Sequence, residues 1–199
     1  MSGWKDEAEI DWTDYSDTGS DSWGWSFGGD KTGQSASTGD PAIAEATAFA
    51  DISGYGGNTH WASIGSTFKI PGSLNDERMS SVQPDADIQG EVWGVGAVGK
   101  LTVELVVDNL SKDIERSEQL KKYYHDKAWA QEFDDSIDGS IDINLYPGDT
   151  YRAKLVLETK AKIQTLVGGV GSADCGPFDG DDRNRGLRLG GFTLDIKDY

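Results

Sequence analysis

The sequence predicts a mainly β protein: an antiparallel β-sandwich over residues 41–199, preceded by an acidic, aromatic-rich arm over residues 1–40. Three observations lead there. Apolar and polar residues alternate in five separate segments beyond residue 60, Gly, Asp and Pro punctuate the chain between them, and the first 40 residues are almost free of aliphatic side chains. One apolar and one charged face per segment is what an antiparallel sheet with a solvated side requires. A chain of 199 residues is long enough to bury a core without staples. Cys175 is the sole cysteine, so no intramolecular disulfide forms.

Residues 1–40 contain Ile10 as their only Val, Leu or Ile, yet hold Trp4, Trp12, Trp23 and Trp25, four of the seven tryptophans. Such a segment cannot build an aliphatic core of its own. Trp23, Trp25 and Phe27 alternate with Gly24 and Ser26, the period-two signature of a strand with one aromatic face. A frayed tail is the competing reading. A Trp side chain buries about 150–250 Å², which favours an arm whose aromatics pack on another surface.

Beyond residue 40 the strands follow in order. Phe68 and Ile70 alternate with Thr67 and Lys69 before the Pro71-Gly72 turn. Leu101, Val103, Leu105 and Val107 form the next apolar face, and Ile141, Ile143 and Leu145 another. Tyr151, Ala153, Leu155, Leu157 and Ala161 oppose Arg152, Lys154, Glu158, Lys160 and Lys162, and Phe192, Leu194 and Ile196 complete the set. Gly94 to Gly99 reads as a turn or bulge between strands. Residues 111–133 have helical composition, Ser111 as an N-cap, and partly helical spacing at Ile114, Leu120, Tyr124 and Ala128. The expectation there is an inserted helix, with a long polar-tipped hairpin as the alternative.

The most specific local pattern is Leu145-Tyr146-Pro147-Gly148-Asp149-Thr150-Tyr151, followed by alternation at Ala153 and Leu155. It resembles the L-x-P-G-x-x-Y corner of fibronectin type III and related immunoglobulin-like sandwiches. The resemblance spans some 20 residues of the 199. It implies that Leu145 points into the core, that Pro147 and Gly148 turn the chain, and that the Tyr151 hydroxyl bonds back to upstream backbone. A jelly-roll is the other sandwich topology the strand pattern allows. Either one concerns architecture and leaves function open.

Function is bounded mainly by charge. The chain carries 35 acidic against 18 basic residues, a formal net of −17, and Asp supplies 25 of the acids. Such self-repulsion destabilises a compact state unless salt screens it, and at 1 M the Debye length is only ~3 Å. The expectation is a protein of a halophilic (archaeal) system or of its virus. Nucleic acid and anionic membrane are excluded as direct partners, because no cluster of Lys and Arg offers a basic face. The start, Met1 to Glu7, has no apolar h-region, and no run approaches the ~18 apolar residues of a spanning helix. The expected location is therefore the cytoplasm of synthesis and then a virion.

Asp174, Asp179, Asp181 and Asp182 cluster with glycines and offer the oxygen ligands that Ca²⁺ prefers, although the spacing is not that of an EF-hand and a solvated turn accounts for it equally. Asp134, Asp135 and Asp138 form a similar group. Catalytic templates go unfilled. His60 and His125 have no ligand-type spacing, no G-x-S-x-G elbow occurs, and Cys175 has no activating base nearby in sequence. The expected function is a non-enzymatic structural protein of a tailed virus particle, such as a decoration, turret, tail or baseplate component. Its expected partners are copies of itself or other particle subunits, held through Trp4, Trp12, Trp23, Trp25 and Phe27. The alternative is a glycan-binding module with Trp23, Trp25 and Phe27 as a stacking platform for a host-surface sugar.

Overall fold

A computed structural model describes residues 12–27, 31–36, 43–50, 53–72, 77–127, 129–165, 168–175 and 186–196. The described residues form twelve strands and no helix. They lie in two packed antiparallel sheets, the β-sandwich that the alternation requires. One sheet has five strands, in the order β1 (Trp12–Phe27), β4 (Ser53–Lys69), β10 (Thr150–Thr165), β6 (Ala97–Asn109), β7 (Ile114–His125). The other has seven, in the order β12 (Gly186–Ile196), β5 (Arg78–Val95), β11 (Gly169–Cys175), β3 (Ile43–Ala50), β2 (Lys31–Ala36), with β8 (Gln131–Ser136) and β9 (Ile141–Leu145) also paired to β5.

β5 organises the second sheet. β8 and β9 pair with successive parts of one flank, at Asp87–Val92 and Arg78–Val82. β12 pairs with Ser80–Gln89 and β11 with Glu91–Val95, both on the flank that β8 leaves free. β11 and β12 therefore act as one long strand interrupted between Cys175 and Gly186. At its far end β5 turns through Gly96, with φ at 60°, directly into β6 of the opposite sheet. The two backbones close tightly here. A Cβ added at Gly99 would collide with the carbonyl oxygens of both Ser172 and Trp93.

The core lies between the sheets. Ile64, Phe68, Leu101, Val103, Leu105, Leu155 and Leu157 of the five-stranded sheet meet Val82, Ile88, Val92, Ile143, Leu145, Ala173, Leu187 and Leu194 of the other, all buried. Each such aliphatic side chain contributes about 1.5–3 kcal/mol. β10 shows the alternation at its cleanest, with Tyr151, Ala153, Leu155, Leu157 and Ala161 buried and the cations between them part-exposed.

The inserted helix expected at 111–133 is not present. The described residues form a turn, strand β7 and strand β8 instead. The Asn109 side chain sets the turn, its Oδ1 accepting from the backbone N–H of Ser111 (3.0 Å) and Lys112 (3.1 Å), while Asp113 takes φ 55°. From there β7 pairs with β6 along Gly99–Asn109. The register shifts where Val103 faces Lys121 and Glu104 faces Gln119, leaving Leu120 as an extra residue. That bulge lets both Leu120 and Tyr123 reach the core, although their odd spacing breaks a period of two. Helical composition is a weak prior, and a full ladder against β6 outweighs it.

The sequence boundary at residue 40 does not coincide with a boundary in the sheets. β1 pairs with β4 over its whole length, from Trp12↔Phe68 to Phe27↔Ser53, and β2 pairs with β3. The aliphatic-poor segment thus supplies one edge strand to each sheet. Arg152 of β10 reaches across β4 to β1, its guanidinium 4.5 Å from the centroid of the Tyr15 ring.

Candidate functional site

The corner at Leu145–Tyr151 combines a Pro-Gly turn, backbone hydrogen bonds to Ile70 and the hydroxyl of Tyr151. β9 delivers a buried Leu145, Pro147 and Gly148 turn the chain with Gly148 at φ 83°, and β10 begins with Tyr151 only 2 % exposed. The Tyr151 hydroxyl donates to the Asn144 carbonyl (3.1 Å) and accepts from the Tyr146 backbone N–H (2.9 Å) and from Asn109 Nδ2 (3.1 Å). Its ring stacks on Phe68 at 5.5 Å. Burial raises its pKa, the Tyr146 N–H partly opposes that, and the result is about 12. This is a structural device that ties β9, β10 and the β6–β7 turn together.

Among the described residues, four of the six exposed large apolar side chains lie toward the opposite end, around the β5–β6 corner, and the other two, Leu110 and Ile114, flank the β6–β7 turn. Tyr55, Val95, Tyr124 and Trp129 are 47, 45, 50 and 63 % exposed. They share that end by connectivity: Val95 precedes Gly96, Tyr124 opposes Lys100 near the start of β6, and the Lys127 carbonyl beside Trp129 accepts from the Gly94 N–H at 3.1 Å. β1 brings its aromatic segment to the same end, Trp23 opposite Gly57, Trp25 opposite Tyr55 and Phe27 opposite Ser53. The Trp23 ring is half-buried and meets the Tyr55 ring edge-on at 5.5 Å. The positions of Trp12, Trp25 and Phe27 follow from strand register, and Trp4 lies outside the described residues.

On the outer face of the five-stranded sheet at this end is a groove of about 570 Å³, lined by Gly96, Ala97, Val98, Lys100, Tyr124, Asp126, Lys160 and Lys162. Register explains the convergence: Lys160 lies directly opposite Lys100, Lys100 opposite Tyr124, and Lys162 opposite Val98. Sequence reasoning placed Lys160 and Lys162 on a polar face but missed the groove, because which residue of β6 faces them is a property of pairing.

Among the described residues the remaining candidates lie apart from one another. Asp174 is on β11, and Asp179, Asp181 and Asp182 lie outside the described residues. Among the described residues no three His, Cys, Asp or Glu side chains come together as metal ligands. His60 is on β4 and His125 on β7, with β10 and β6 between them, a separation of roughly 14 Å from strand spacing alone. Burial lowers the His60 pKa. Cys175 is buried and donates its thiol proton to the Gln89 carbonyl at 3.3 Å. Asp135 accepts from Tyr123 at 2.5 Å; burial first, then this bond and the carboxylate charge, hold the Tyr123 hydroxyl well above its usual range. No helix of the described residues is long and apolar enough to cross a membrane. No protein family, curated protein or solved structure matches this chain.

Proposed function

We infer that the chain is a non-enzymatic structural subunit of a virus particle assembled at high salt, most consistent with a decoration, turret, tail or baseplate component of a halophilic system. The observation that carries this reading is the aromatic end of the sandwich. In a chain of net charge −17, the exposed Tyr55, Val95, Tyr124 and Trp129 all lie toward this end, as does the Trp23–Phe27 segment of β1, with the Trp23 and Tyr55 rings in contact. Exposed large apolar side chains concentrated toward one end of so acidic a chain favour an interaction site there, and aromatic residues dominate the energetics of such contacts. Sandwich modules serve as particle components by analogy of architecture alone.

The test is the mass of the particle or oligomer by light scattering in 2–3 M salt for Trp23→Ala, Tyr55→Ala and Trp129→Ala. A central aromatic truncated at an interface costs ~2 kcal/mol or more, enough to dissociate a weak oligomer. A monomeric wild type in molar salt, or three variants that assemble unchanged, would overturn the reading.

A further inference from the structure

We propose that the groove at the β5–β6 end binds a short oligosaccharide bearing carboxylate or sulfate groups. The proposal concerns the outer face of the five-stranded sheet; it shares Tyr124 with the assembly reading and rests otherwise on three lysines that reading does not use. The first argument is charge. Lys100, Lys160 and Lys162 converge on one groove in a chain with a two-to-one excess of acids. Among the described residues none of the three ammonium groups has a carboxylate oxygen within 4.0 Å, in contrast to Arg152 and Lys154 at the other end of β10. The acids near the groove are Asp126 on its lining, Glu158 two residues before Lys160 on the same face, and Asp21 beyond Thr59 in the same cross-strand row. Like charges directly opposite each other destabilise a sheet, so Lys100 and Lys160 are paired against the interest of the fold.

The second argument is shape and surface. A groove of about 570 Å³ is in the range of small-ligand sites. Tyr124, half exposed and directly opposite Lys100, gives it one aromatic wall. The negative face of an aromatic ring attracts the weakly positive C–H face of a pyranose. Lysines beside that face are placed for the acidic substituents, each presenting three donors. A long polyanion such as nucleic acid would extend from the groove over an acid-rich surface and be repelled there, so the chemistry favours a short, ring-shaped anion.

The experiment titrates the full-length chain with trigalacturonate, a sulfated galactose trisaccharide, neutral galactotriose and the oligonucleotide dT6, by calorimetry at 0.2 M and 2 M NaCl. The expected result is saturable one-to-one binding of at least one anionic trisaccharide. It should be at least about tenfold weaker for the neutral one and for dT6, and weaker in 2 M salt. Lys160→Gln should lower the affinity about tenfold without changing the mass seen by light scattering, and Tyr124→Ala should lower it about tenfold as well. Because it removes a like-charge pair, Lys160→Gln should unfold no earlier than wild type, so lost binding cannot be assigned to misfolding. Four results overturn the proposal: no binding of either anionic trisaccharide, equal binding of the neutral one, tighter binding of dT6, or variants that bind as wild type. Loss of assembly in the aromatic-end variants with intact trisaccharide binding would sink neither this groove nor its ligand class.

Discussion

Replacing Tyr151 with Phe removes one oxygen and leaves the ring stacked on Phe68. Three hydrogen bonds go with it, those to the Asn144 carbonyl, the Tyr146 N–H and Asn109 Nδ2. Each is worth about 0.5–1.5 kcal/mol net, and a group left buried without a partner costs about 1–3. Asn109 Nδ2 keeps a second partner in Asp149, at 2.8 Å, and Tyr146 is only half-buried, so water reaches part of the gap. The expected loss is therefore ~2–3 kcal/mol. For a domain of this size that is a fall of roughly 4–12 °C in Tm. Thermal and urea unfolding in the same high-salt buffer measure it. The linkage sign gives a second readout. The folded pKa of about 12 lies above the unfolded value of 10.0, so the proton stabilises the fold fully below pH 10 and that stability is lost as pH rises toward 12. Tyr151→Phe should lose less stability than wild type between pH 10 and 12. A Tm within ~2 °C of wild type at pH 7, with unchanged alkaline behaviour, would mean that the hydroxyl ties nothing together.

Three further outcomes follow from the same structure. The wild-type Tm should climb as NaCl rises from 0.1 to 3 M, because screening removes repulsion from a net charge of −17; a flat or falling midpoint would contradict the high-salt reading. Gly99→Ala should cost at least ~3 kcal/mol in urea unfolding, the upper end of overpacking, because its Cβ meets backbone oxygens of two strands that cannot move independently; a neutral change would mean that the sheets are looser at the corner. His60 is harder to protonate in the fold than in the unfolded chain, so its contribution is present above pH 6.5 and is lost as pH falls below it; His60→Gln should flatten that acid limb of the stability profile.

What the sequence made legible was local and periodic. Ile141, Ile143 and Leu145 alternate over five residues, and β9 appears as that strand with those three buried. The corner was readable because Pro147, Gly148 and Tyr151 act on one another within a single turn. The helix expected at 111–133 failed for a reason of the same kind. A single bulge at Leu120 shifts the phase of β7, so its two core-facing residues no longer differ by an even number. The lysine groove needed information of another order. Lys100 and Lys160 are sixty positions apart, and only the antiparallel register of β6 and β10 sets them opposite each other. The strand nature of Trp23 to Phe27 was legible, but its docking along β4 was not, since nothing in residues 12–27 names a partner.

The two ends of β10 carry the electrostatic argument further than composition does. At the Tyr151 end, the cations Arg152 and Lys154 converge on Asp108 of β6, which accepts from Arg152 at 2.6 and 2.8 Å and lies 3.5 Å from Lys154. Asp108 is 6 % exposed, so this is a nearly buried acid matched by two bases. At the other end, Lys160 and Lys162 belong to the same alternating row, yet β6 places Lys100 and Val98 opposite them. In a chain where acids outnumber bases by 35 to 18, an acid opposite a lysine is the easier arrangement to reach by substitution, and it would stabilise the sheet. Solubility at high salt does not call for the lysines either, since every one of them reduces the acid excess. β10 thus has Arg152 and Lys154 paired with an acid at one end and Lys160 facing Lys100 at the other, where the groove opens. That asymmetry along a single strand is the reason to look for an anion in the groove before looking for one anywhere else on the molecule.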